Sequence, residues 1–202
     1  MIRRISTLVA LAALVFPAAA LAQSTGMPSY NAPYRAFTSY EFGGTLSFPG
    51  WDNGTGLEGQ FRAGYKTWDI GVQGGIFDAD GPGGTIALLG ATGRVRVVTH
   101  NETFPLDGAL ILGAGTQDFD NFITPVGISL GRRVDFEGSN ISIVPYGQPT
   151  LFLVFDNNDL NDTINFGLGL GVDVRFGGAF DIRTSFGIGD VDGFAVSAVW
   201  VR

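Results

Sequence analysis

Apolar and polar residues alternate with period two along most of this chain, and no stretch carries the three-to-four spacing of an amphipathic helix. The clearest run is Ile164, Phe166, Leu168, Leu170, Val172, Val174 and Phe176, interleaved with Asn165, Gly167, Gly169, Gly171, Asp173 and Arg175. Successive strand side chains point to opposite faces, so this is a strand with one apolar face and one of glycine and polar groups. A second run changes phase in a way that predicts a turn. Leu57, Gly59, Phe61, Ala63 and Tyr65 are at odd positions, whereas Trp68, Ile70, Val72 and Ile76 are at even ones. A two-residue hairpin loop at Lys66-Thr67 would pair Tyr65 with Trp68 and account for the switch. Phe176 and Phe180 flank Gly177-Gly178-Ala179, which predicts a three-residue hairpin.

Read this way, ten strands are expected, at 36–48, 56–66, 68–77, 86–98, 104–116, 122–134, 140–154, 163–176, 180–188 and 193–201. Eight remain possible, because Pro125, Pro145 and Pro149 fall inside strands six and seven and remove ladder donors. Most runs hold about 9–14 residues, closer to the 9–11 of a membrane-crossing strand than to the 5–6 usual in soluble sheets.

The first 22 residues belong to a different class. Arg3 and Arg4 precede an apolar stretch from Ile5 to Phe16, and Ala20-Leu21-Ala22 offers a small-residue cleavage site. That is the pattern of a secretory signal peptide of the Sec type, with Gln23 as the first mature residue. Residues 23–35 read as a polar lead-in, and 36–202 as a single β domain.

Composition narrows the environment. Without Arg3 and Arg4, 10 basic residues face 19 acidic ones, a balance near −9 that argues against nucleic acid. Lys66 is the only lysine and Asp outnumbers Glu fifteen to four, an unusual covering for a water-soluble surface. Glycine contributes 31 residues, which in alternating segments points to strands with one crowded face. With no cysteine, disulfides, thiolate metal sites and a lipid anchor on cysteine are excluded.

Alternation leaves open which face points out. A soluble periplasmic barrel holding an apolar ligand would turn the apolar face inward, and a membrane barrel would turn it to lipid. Strand length, scarce lysine and aromatics near strand ends, such as Tyr40, Tyr65, Trp68, Phe122, Phe155, Phe176 and Trp200, favour lipid. The expected fold is therefore an all-β, up-and-down antiparallel transmembrane β-barrel.

From the signal peptide, the runs such as Ile164–Phe176 and the amphipathic final strand Gly193–Val201, the chain resembles small bacterial outer-membrane barrels of the OmpA and OmpX kind. The resemblance covers residues 36 to 202 and departs at the end, where Trp200-Val201-Arg202 replaces the usual terminal aromatic. It implies an outer-membrane location in a Gram-negative envelope and both barrel ends in the periplasm. Outer-membrane lipid and lipopolysaccharide, with the barrel-assembly machinery during insertion, are the implied partners. The expected role is structural or surface-interacting, with limited small-solute passage as a close second.

Candidate chemistry is sparse. Glu58, Arg62, Arg94, Arg96, Asp107, Asp173, Arg175, Asp181 and Arg183 lie on the polar faces and are expected to point into the lumen, as pairs that fill it or as a charged constriction. Acidic connections (Asp52, Asp78, Asp80, Asp118, Asp120, Asp156, Asp159, Asp162, Asp190 and Asp192) would gather at one rim. Asp is an ordinary turn former and no calcium-loop spacing is present, so no metal is expected. His100, the sole histidine, falls in a connection and reads as a turn residue. With no nucleophile elbow, phosphate loop or paired histidines, neither cofactor nor enzymatic role is expected; a lipid-modifying enzyme is the weak alternative.

Overall fold

The computed structural model describes residues 25–33, 39–50, 54–80, 84–156 and 163–202. The expected signal peptide therefore lies outside the described residues. Ten long strands form one antiparallel sheet: β1 (Tyr40–Pro49), β2 (Gly54–Tyr65), β3 (Trp68–Ala79), β4 (Thr85–Val98), β5 (Asp107–Gln117), β6 (Asn121–Gly131), β8 (Ile141–Asp156), β9 (Thr163–Phe176), β10 (Phe180–Gly189) and β11 (Gly193–Val201). A two-residue strand, β7 (Val134–Asp135), sits beside β8. Each long strand pairs with its sequence neighbours, β6 pairs directly with β8, and β1 pairs with β11, so the sheet closes on itself. No helix occurs among the described residues.

The hairpin expectations are met in register. Tyr65 pairs with Trp68 and Phe176 with Phe180. Lys66, Gly177 and Gly178 take positive φ (59°, 61° and 78°), the left-handed conformations that such short turns require. At strand six the expectation to residue 134 is corrected. β6 stops at Gly131, and the chain leaves the ladder before pairing again through β7. The prolines interrupt the ladder without breaking the strands. Pro145 and Pro149 lie on the outward face of β8 and Pro125 on the inward face of β6. The β5–β6 ladder lacks pairs at Gly113 and Ala114, and the β6–β8 ladder at Ile128 and Ser129.

The exterior is apolar. Phe42, Leu46, Phe61, Val72, Leu112, Leu151 and Phe186 are all exposed, and Phe166 and Leu170 are 50 % and 44 % accessible. The interior holds Glu41, Thr45, Glu58, Arg62, Asp69, Arg94, Gln148, Asp173, Asp181 and Arg183, all buried. This is the reverse of a water-soluble barrel, and an apolar band of this extent calls for hydrocarbon around it. Aromatic pairs gird the mouth where β1 begins, including Phe42–Trp200 and Phe180–Trp200 with ring centroids 6.0 and 5.1 Å apart. This end, where Tyr40 and Arg202 exchange backbone hydrogen bonds, is the near mouth. The opposite end, which carries the acidic connections, is the far mouth.

Candidate functional site: the filled lumen

Alternation sends every second side chain of each strand inward, and towards the near mouth those positions carry charge on seven strands, β1–β5, β9 and β10. Asp69 on β3 takes Arg94 of β4 in a two-pronged contact, Nε to Oδ1 at 3.0 Å and Nη2 to Oδ2 at 2.8 Å. It also pairs closely with Arg62 of β2, whose other nitrogen donates to Thr92 Oγ1 at 3.3 Å. Across the lumen, Arg175 grips Asp181 through Nε and Nη2 at 2.8 and 3.0 Å. Arg183 reaches Glu41 at 2.7 Å, Asp181 at 3.0 Å and Asp173 at 3.8 Å. Glu41 and Arg62 are register partners on β1 and β2 and join the two halves. Four guanidinium groups and four carboxylates thus form a neutral belt, as burial of charge demands.

Of the residues expected in the lumen, Arg62, Arg94, Asp173, Arg175, Asp181 and Arg183 come together in this belt. Arg96 is half-buried one inward position closer to the near mouth. Asp107 stands at the near mouth and binds His100, accepting from its backbone N–H at 3.0 Å and contacting Nδ1 at 2.9 Å. Glu58 is deeper, facing Thr25 and Gln73 and away from the belt. Two belt members, Glu41 and Asp69, were not among the expected residues. The alternation rule would have found both, since each is flanked by outward aromatics or aliphatics: Tyr40 and Phe42, Trp68 and Ile70.

Toward the far mouth the lumen holds part of the chain itself. Residues 25–33, part of the segment read as a polar lead-in, run through its interior. At one end Thr25 O accepts from Gln117 Nε2 at 2.7 Å, at the far-mouth end of β5. At the other end, the ring of Pro33 packs near Gly131, the last residue of β6 at the near mouth. The segment is irregular, with Gly26 at a φ of 76° and Ser29 N donating to Met27 O at 2.8 Å. The segment forms no ladder with the wall, whose strands are already paired. Wall side chains hold its main chain instead: Ser185 Oγ donates to Pro28 O at 2.7 Å and accepts from Tyr30 N at 3.3 Å. Tyr146 Oη donates to Tyr30 O and Ser129 Oγ to Asn31 O, both at 2.7 Å. Asn31 N donates to Gln148 Oε1 at 3.1 Å, and Arg94 of the belt donates to Ala32 O.

One side chain of the segment is held by shape. Gly167, Gly169 and Gly171 line the inward face of β9, and the Tyr30 ring lies on the first two. A Cβ at Gly169 would fall on that ring, and one at Gly167 would stand 2.7 Å from Tyr30 Oη. Gly171 makes the same room for Tyr146. The crowded face that the glycine count implied is therefore crowded by these two tyrosines. Around them Ala32, Ile123, Val144, Tyr146 and Phe152 form a small apolar core inside the barrel. Gly169→Val should expel the Tyr30 ring while leaving the ladder intact. An overpacking cost of about 1–3 kcal/mol should raise chymotrypsin cleavage after Tyr30 in the folded protein roughly ten- to hundredfold, because cleavage follows the open population. An unchanged rate would show that the ring does not need this platform.

The acidic connections act as turn residues where they are described. Asp118 (φ 50°) accepts from Ala87 N at 2.6 Å, Asp190 from Phe166 N at 2.7 Å, and Asp78 from Thr85 Oγ1 at 3.3 Å. Asp52, Asp159 and Asp162 lie outside the described residues. Among the described residues no three metal-ligating side chains cluster.

Neither a family model nor a curated protein matches this chain. Among solved structures it is similar to the crystal structure of the beta domain of the Bordetella autotransporter Brka, at 12 % identity and a TM-score of 0.46, over 81 % of this chain and 98 % of that one. That likeness carries no functional argument.

Proposed function

We propose that the mature chain is an outer-membrane β-barrel of a Gram-negative envelope, exported by the Sec route, with a structural or surface-interacting role. Lipid and lipopolysaccharide surround it, and the barrel-assembly machinery inserts it. The observation that carries this reading is the inverted distribution of side chains, with Phe166 and Leu170 outward and a charged belt inward. Solute passage is restricted, because salt-bridged side chains and residues 25–33 occupy the space a channel would need. The chain is non-catalytic, and its sole histidine serves as a turn residue whose ring meets Asp107. Envelope fractionation tests the proposal. The protein should stay with the outer membrane after an alkaline wash and migrate differently before and after boiling. Recovery in the soluble periplasmic fraction with a single, heat-insensitive band would refute it.

A further inference from the structure

We infer that residues 25–33 are the barrel's own plug, a peptide without strand pairing bound in cis in a lumen groove that holds it chiefly by its main chain and one tyrosine. The inference rests on the membrane-barrel reading and adds what closes the lumen. Three independent features support it. Main-chain groups of Thr25, Pro28, Tyr30, Asn31 and Ala32 are each met by a wall side chain from a different part of the circumference: β5, β10, β8, β6 and β4. The inward face of β8 breaks the polar rule with Val144, Tyr146 and Phe152, an apolar patch that water would otherwise wet and that Tyr30 and Ala32 cover. The Gly167–Gly169 platform is shaped to the Tyr30 ring, and larger residues would close it.

The belt lines the near-mouth end of the lumen along β9, β10 and β1–β4, and the plug passes beside it to reach Gly131 of β6. The segment contains no charged residue and no ladder hydrogen bond, so its release breaks neither an ion pair within the belt nor the sheet. It does free Arg94, which bridges the two by holding both Asp69 and Ala32 O. Loss of the plug should therefore loosen the belt on one side and open a water path.

Planar-bilayer recordings on the purified full chain and on a variant lacking residues 25–33 test this. The full chain should show no steady current and the deletion variant steady channels. A synthetic peptide of residues 25–33 should abolish that current, and the same peptide with Tyr30→Ala should not at equal concentration. A silent deletion variant, or a full chain that conducts as the variant does, would overturn the plug. If the deletion variant gives no heat-modifiable band, the full chain carrying Tyr30→Ala replaces it, with openings expected and silence overturning the inference. Chymotrypsin cleavage after Tyr30 needs no bilayer and separates the two readings. Slow cleavage in folded wild-type protein supports the plug, and cleavage as fast as in the urea-unfolded chain overturns it, whatever the fractionation shows.

Discussion

Replacing Asp69 by alanine is expected to destabilise the folded barrel by about 3–5 kcal/mol, the usual cost of stripping one partner from a buried ion pair. Asp69 is fully enclosed and is the anion between Arg62 and Arg94. Its loss leaves two buried guanidinium groups on β2 and β4, the strands flanking β3, with no carboxylate between them. Arg94 would keep its bond to Ala32 O, and Arg62 its bond to Thr92. Neither of those neutral acceptors compensates a buried positive charge. Urea unfolding of protein refolded into lipid vesicles measures the loss as a shifted midpoint at constant slope. A triple change of Arg62, Asp69 and Arg94 to apolar residues of similar volume should cost much less, since no orphaned charge remains. A loss below about 1 kcal/mol for Asp69→Ala would be the value of a solvated surface pair. It would mean that the lumen at this level is wet.

Leu170→Arg carries the second large effect, a destabilisation of about 2–4 kcal/mol for a cation at the bilayer midplane. Leu170 is near the middle of β9, opposite Gly147 and Phe186 on its two neighbours, with its side chain on the outer face. The sign of the effect is decisive. On a water-facing sheet, exchanging an exposed leucine for arginine is close to neutral. In hydrocarbon the guanidinium must drag water inward or reach for the interface. The same vesicle-based unfolding experiment reads it, and a neutral result would remove the lipid from around the barrel.

The strands were legible because a membrane barrel writes its inside and outside directly into alternate positions. Leu57–Tyr65 and Trp68–Ile76 even revealed their shared turn through a change of phase, and the Tyr65–Trp68 register follows it. Alternation names a face but neither depth nor partner. It placed Arg175 and Asp181 inward without showing that they bind each other while Asp107 binds His100 at the rim. The lumen segment was not legible at all. A peptide gripped by its backbone needs no hydrophobic period, so residues 25–33 look like any polar connection. One indirect trace existed. β8 carries apolar residues on both faces, with Val144, Tyr146 and Phe152 alternating against Ile143, Leu151 and Leu153. A strand greasy on both sides must be covered on both sides, and on the inner side of β8 Tyr30 and Ala32 are that cover.

Recognition of the threaded segment through its backbone has a consequence for how it can drift. Met27, Ser29 and Asn31 can be exchanged for other residues of similar bulk without losing any of the carbonyl and amide contacts made by Ser185, Tyr146, Ser129, Gln148 and Arg94. Tyr30 is fixed by shape, because the glycine floor beneath it accepts a flat ring, and Gly26 by its φ of 76° and the 2.9 Å a Cβ would leave to Gln117 Nε2. The barrel is in this respect a holder with two keyed positions, and a foreign stretch is expected to replace this one only if it keeps a glycine at the first and an aromatic ring at the second.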